Sequence, residues 1–254
     1  MSLAEFQRVL TDLVASPERC RAALADPRRL TETYDLNERE RKRLLHSAQQ
    51  PGMKVCWALY RANRLASIHA TLPLTCRALG SLLRREVDAF WSEALPKDLQ
   101  FRPEAERFVS FLRSRMREGR LDIPVLDDLI SFELAVAELR FTPQAAIRET
   151  LARSETLVDA SLILHPLIRL LPFRSDPERL LEALTNERDI PTDLAAGDYH
   201  LLVDGREEAM SIRLLDPRLA GILHSFELGA PPTLDDSEID LLLKAGLIAR
   251  CSTK

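Results

Sequence analysis

The sequence predicts a mainly α protein with a small α+β domain: an N-terminal helical bundle over residues 1–154, then a winged-helix-like domain over residues 155–254. Three observations carry that expectation. Up to about Ser154, apolar residues recur at the helical period, with no convincing period-2 alternation. Beyond it, Tyr199-His-Leu-Leu-Val203 and Ala209-Met-Ser-Ile-Arg-Leu214 have strand composition and flank the turn signal Asp204-Gly205. The chain also holds only eight glycines and no low-complexity run, as expected of close helical packing.

Taken in order, Ser2 can cap a first helix whose apolar stripe is Phe6, Leu10, Leu13 and Val14. Ser16-Pro17-Glu18 supplies a cap, a proline at the first helical position and an early acid, the start of a second helix. Asp35 to Gln49 reads as a charged helix stopped near Pro51-Gly52. Val55 to Thr71 follows, with Trp57, Leu59, Leu65 and Ile68 as its apolar face. Leu79 to Trp91, Glu104 to Arg117 and Pro124 to Arg140 continue the pattern.

Leu162 to Leu184 reads LILHPLIRLLPFRSDPERLLEAL. Pro166 and Pro172 preclude a continuous helix, and His165 before Pro166 is pushed toward extended geometry. The expectation is a long strand over Leu162 to Phe173, bent by its prolines, then a short helix opened by Asp176-Pro177-Glu178. In the strand after Asp204-Gly205, Met210, Ile212 and Leu214 should share one face and Ser211 and Arg213 the other. Asp216-Pro217 opens a helix with Leu219, Ile222, Leu223 and Phe226 inward, ended before Gly229. Asp235 or Asp236 opens the last helix, with Ile239, Leu242 and Leu243 inward and Gly246 at its end; Leu247-Ile-Ala adds a final extended piece.

Composition excludes several classes. Charged residues at 29% and hydrophobic residues at 46% belong to a globular chain. No apolar run has the length of a membrane span, and the N-terminus lacks signal-peptide layout, so a cytoplasmic location is expected. The cysteines (Cys20, Cys56, Cys76, Cys251) are scattered without a C-x-x-C pair, and none of the five histidines has a companion at ligand spacing. No glycine-rich phosphate loop, G-x-S-x-G elbow or H-E-x-x-H pair occurs. Asp127 and Asp128, as i and i+1 neighbours, cannot share a helix face. Trp57 and Trp91 suit either a protein interface or core packing, while His69 and His165 are read as structural. Arg39 to Arg43 and Arg113 to Arg120 read as solvated helix faces.

The segments LHPLIRLLPFRSDPERLLEAL, YHLLV, LLDPRLAGILHSFELGA and IDLLLKAGLI resemble, in this order, the C-terminal domain of partner proteins of multinuclear non-haem iron-dependent oxidases. ALGSLLRREVDAFWSEAL, FRPEAERFVSFL and IPVLDDLISFELAVAEL are similar to the helical domain of the same partners. These proteins assist in making ribosomally synthesised, post-translationally modified peptides. The resemblance implies a PqqD-like winged-helix recognition domain that holds a precursor's leader peptide, and a helical half that docks on the oxidase as a heterodimer. It also implies that this chain holds no catalytic residue, metal ligand or cofactor of its own. The iron belongs to the oxidase, a separate TIM-barrel chain. The likeness extends to partners in 3-thiaglutamate biosynthesis, where the β-carbon of a C-terminal cysteine is excised, and to methanobactin-type partners, whose enzyme forms an oxazolone and a thioamide.

In recognition domains of this kind the leader adds a strand beside the third strand, next to the last helix. Carried onto this chain, that implies Met210, Ser211, Ile212, Arg213 and Leu214 as the strand, with Leu241 and Ala245 of the Asp235 to Ala245 helix lining an apolar slot. Leu241 suits a broad core face as well, and Arg213 an ordinary solvated strand. The competing use of a winged helix is DNA binding. Residues 155–254 carry ten Lys or Arg against eighteen Asp or Glu, and the helix DDSEIDLLLKAGL is itself acidic. Charge therefore opposes a transcriptional regulator. No nucleic acid and no membrane is expected among the partners. A stand-alone enzyme would need turnover by this chain alone.

Overall fold

The computed structural model describes residues 3–93, 101–143, 145, 147, 149, 151, 161–207, 209–230 and 232–251. The helices along the chain are α1 (Leu3–Ala15), α2 (Pro17–Ala25), α3 (Arg28–Thr33), α4 (Glu38–Gln49), α5 (Gly52–Thr71), α6 (Pro73–Leu79), α7 (Leu83–Glu93), α8 (Phe101–Arg117) and α9 (Leu126–Phe141). There follow β1 (Ser161–Leu164), β2 (Ile168–Ser175), α10 (Pro177–Thr185), β3 (Ala196–Asp204), β4 (Ser211–Leu215), α11 (Pro217–Glu227), α12 (Asp236–Lys244) and β5 (Ile248–Cys251). The protein is thus mainly helical with small antiparallel sheets. No helix among the described residues is long and apolar enough to cross a membrane.

Short polar side chains decide where many of these helices begin, because they accept from amides that have no partner in the first turn. Ser16 accepts from the Arg19 amide ahead of Pro17. Asn37 and Glu40 form a reciprocal capping box on α4, as Asp235 and Glu238 do on α12. Asp176 and Asp216 cap α10 and α11, each followed by proline. The proposed cap at Ser2 lies outside the described residues.

Two compact units divide the chain. One takes Met1–Pro73 and Ser81–Leu121, the other Leu74–Gly80 and Asp122–Lys254. The sequence reading puts the change at 154/155, which lies outside the described residues. By contact, α9 belongs with the strands: Val125, Leu129, Phe132 and Leu139 share a cluster with Phe173, Leu201 and Val203.

In the first unit, Val9, Leu13, Cys20, Leu30, Leu44 and Met53 form one core cluster. Phe90, Phe108 and Phe111 group with ring centroids 5.3 to 6.2 Å apart. Two expectations fail here. The helix expected over Leu79 to Trp91 is interrupted by a 3-10 turn at Gly80–Leu82, where Gly80 has φ 49°. Leu59, assigned to the apolar face of α5, is 63% exposed, whereas Arg64 is 2% exposed. Leu59 lies two residues, about 200°, round the helix from Trp57 and cannot share its face.

In the second unit the long bent strand expected over Leu162 to Phe173 is two strands in different sheets. β1 pairs with β5, and β2 with β3, which in turn pairs with β4. His165-Pro166-Leu167 makes the break, closed by the Ile168 amide on the His165 carbonyl at 2.8 Å. Pro172 is tolerated within β2 because β2 is an edge strand. The central β3 carries both cores: Leu201 and Val203 turn to the α9 side, while Leu202 joins Ile168, Leu170, Leu223, Phe226 and Leu242 on the other.

Candidate functional site

Strand β4 is the open edge of the three-stranded sheet. Its register on β3 is Asp204↔Ser211, Val203↔Ile212, Leu202↔Arg213, Leu201↔Leu214 and His200↔Leu215. Directly opposed residues point to the same sheet face. Ile212 and Leu214 therefore share the α9 side with Val203 and Leu201, and Ser211, Arg213 and Leu215 share the other side with Leu202. The sequence alternation holds, and both faces of the strand are largely open. Ile212 is 46% and Leu214 37% exposed, Ser211 and Arg213 are exposed too, and only Leu215 is buried. Met210 precedes the strand and packs half-buried against the α9-side cluster. Every second residue of such an edge also turns its N–H and C=O away from the sheet.

Helix α12 packs on the opposite face from Ile212 and Leu214. Leu242, with Ile239 and Leu243, enters the cluster that includes Leu215 and Leu202. Leu241 points away from that core and is 70% exposed. Ala245 is exposed at the C-terminal end of the helix. The structure thus brings Ser211, Arg213, Leu241 and Ala245 onto elements that serve one core. Ile212 and Leu214 are directed to the other face, so no single groove holds all seven residues.

Arg206, which sequence reasoning passed over, ties these elements together. Its guanidinium binds the buried Asp204 carboxylate, with Nε at 2.9 Å from Oδ1 and Nη2 at 2.5 Å from Oδ2, and Nη1 donates to the Ala245 carbonyl at 2.7 Å. Burial pushes the Asp204 carboxyl up. The Arg206 hydrogen bonds outweigh it and, with the charges of Arg206 and Arg213, hold the group below its ordinary range. Nearby, the His165 amide donates to the Leu247 carbonyl and the Gly205 amide to the Leu167 carbonyl, both at 2.9 Å. Three connections, β1–β2, β3–β4 and α12–β5, are therefore laced together. Gly246 is demanded twice, by φ 66° and because a Cβ there would run into the Arg206 guanidinium. The signal in the sequence was Asp204-Gly205, which points to a turn and not to an arginine bridge.

The other singled-out residues have structural surroundings. Trp57 Nε1 donates to the Leu13 carbonyl at 2.9 Å, and Trp91 lies beneath Arg61 and Arg64 at 4.9 and 5.0 Å. His165 Nδ1 accepts from the Leu167 amide, and burial followed by the Arg206 charge pushes its pKa down. His69 is exposed. Asp128 is buried and binds Arg174 through the backbone amide at 3.0 Å and the guanidinium at 3.1 Å. Among the described residues no group of three His, Cys, Asp or Glu is gathered as a metal site.

The first unit leaves one apolar helix face open. On α5, Val55, Leu59, Ala62 and Ala66 are all exposed. Beside them Leu65, Leu83, Val87 and Trp91 line a cleft of about 330 Å³ between α5 and α7. No protein-family model matches this chain, and no curated protein matches it.

Proposed function

We propose that the chain is a non-catalytic partner subunit of an iron-dependent oxidase in peptide natural-product biosynthesis, holding a precursor's leader peptide along β4 and presenting its cysteine to the partner. The observation that carries this reading is an edge strand exposed on both faces: Ile212 and Leu214 on one, Ser211 and Arg213 on the other. A leader adding a strand there would satisfy the outward backbone groups and pair its alternate side chains with these two sets. The winged-helix reading of the second unit belongs to the same proposal, supported by the succession of strands and helices from β1 to β5.

The exposed face of α5 and its neighbouring cleft supply the apolar surface that docking on the oxidase requires. The iron would be the partner's. Holding the leader raises the local concentration of the cysteine at that iron and removes orientational cost from the chemical step. The chemistry assigned is β-carbon excision from a C-terminal cysteine, as in 3-thiaglutamate biosynthesis. A methanobactin-type partner would give an oxazolone and thioamide that keep that carbon, so the product's mass separates the two.

Gentle purification of the chain from its native cells, with mass spectrometry of what accompanies it, is the test. An iron-containing TIM-barrel oxidase at near-equal amount is the expected result. Recovery of the chain alone or with DNA overturns the reading.

A further inference from the structure

Helix α4, ERERKRLLHSAQ, turns Leu44 and Ala48 into the core and leaves Arg39, Lys42 and Arg43 exposed. Its two acids are already engaged. Glu38 is shared by Arg41 and by Lys42 at 3.4 Å, and the Glu40 carboxylate accepts from the Asn37 amide at 2.9 Å. Arg39 and Arg43, one turn apart on the exposed side, have no carboxylate within ion-pair reach among the described residues. Like charges at this spacing destabilise a helix unless something neutralises them.

Arg39 and Arg43 also line a cleft of about 740 Å³, whose other walls are Glu38, Lys42, His46, Ser47 and, from α1, Phe6. We infer that this cleft is a binding site for a short acidic peptide segment of a partner polypeptide. Arg39 and Arg43 would each take a carboxylate through the planar guanidinium fork, and Phe6 would face an apolar side chain. The rise between Arg39 and Arg43, about 6 Å, matches carboxylates two residues apart on an extended chain, about 6.6 Å. A volume of this size suits a few side chains. A nucleic-acid backbone fits poorly. Glu38 stands in the wall, and Glu32 and Asp35 precede the helix. The site lies wholly in the first unit and does not depend on the reading of β4.

The test is fluorescence anisotropy at low ionic strength on the full chain, with labelled GLEAEFG, its uncharged counterpart GLQAQFG and an oligo(dT) 12-mer as probes. GLEAEFG should bind and GLQAQFG should not. Arg39→Gln with Arg43→Gln should weaken GLEAEFG binding roughly tenfold, with an unfolding midpoint that stays level or rises slightly as the like-charge repulsion is removed. Arg28→Gln with Arg29→Gln, which removes the same charge elsewhere, should leave binding intact. No GLEAEFG binding, an equal loss in both double variants, or tighter binding of oligo(dT) than of the peptide each overturns the assignment.

Discussion

Arg206 closes on Asp204 with Nη2 2.5 Å from Oδ2, while its Nη1 reaches the Ala245 carbonyl at the end of the last helix. Removing the guanidinium in Arg206→Ala strands a buried carboxylate and unlaces α12 from the β3–β4 connection. The expected cost is about 2–3 kcal/mol, below the roughly 3–5 kcal/mol of a fully buried broken pair because Arg206 itself is partly exposed. Asp204 has a depressed pKa, so its contribution is present above the ordinary carboxylate pKa and is lost as pH falls through the folded value. The gap between wild type and variant, read from urea midpoints, should therefore narrow only below about pH 4, the part owed to the Ala245 carbonyl remaining. Gly246→Ala should be costly in the wild type and less so beside Arg206→Ala, since part of its penalty is collision with that side chain. Additive costs would show that the contact is not there.

Because Ile212 and Leu214 are already partly exposed, Ile212→Asp with Leu214→Asp should cost only about 1 kcal/mol of folding stability per site. If β4 captures the leader as proposed, leader affinity should fall, and Ile212→Pro should reduce it further while leaving the proposed heterodimer intact. Anisotropy with the labelled leader, beside urea unfolding, separates the two effects. Full affinity in folded variants would remove β4 as the capture edge.

The elements were legible wherever a local rule decides them. Ser16-Pro17, Asp176-Pro177 and Asp216-Pro217 announce helices because cap and proline act within one turn. Gly229 and Gly246 mark ends because positive φ is local too. What stayed hidden depends on partners distant in sequence. Nothing near Arg206 signals the Ala245 carbonyl, and nothing in LILHPLIRLLPF says that β1 pairs with β5 and β2 with β3. The candidate strand was readable from its alternation, but not its double exposure, since an apolar position looks the same whether covered or open.

Arg64 and Glu104 form a buried pair, Nε to Oε1 2.6 Å, with the guanidinium beside the rings of Tyr60, Phe90 and Trp91. Breaking it from the arginine side leaves the buried Glu104 carboxylate with Arg107, at 2.7 Å, as its remaining cation. Arg64→Met should cost about 2–3 kcal/mol, less than for an isolated buried pair because Arg107 stays on Glu104, and Arg64→Met with Glu104→Leu should recover part of that loss. Chemical denaturation of the set provides the measurement. A double variant as unstable as the sum of the singles would mean that the pair is not the source of the penalty.

Glu133 accepts from the amides of Leu74 and Thr75 at 2.5 and 2.8 Å, holding the start of α6 in the second unit without an ion-paired cation among the described residues. Burial pushes its carboxyl up to about 7, against the hydrogen bonds from Thr75 and Leu74. The folded chain then binds a proton more tightly than the unfolded one. The stability linked to that proton is fully present below the ordinary carboxylate pKa and is lost as pH rises through 7. Glu133→Gln cannot ionise, although it gives up one acceptor. Relative to this variant, the wild type should therefore lose up to about 3 kcal/mol between pH 5 and pH 8. Urea midpoints of both proteins across that interval decide the matter, and parallel curves would place the Glu133 pKa outside it.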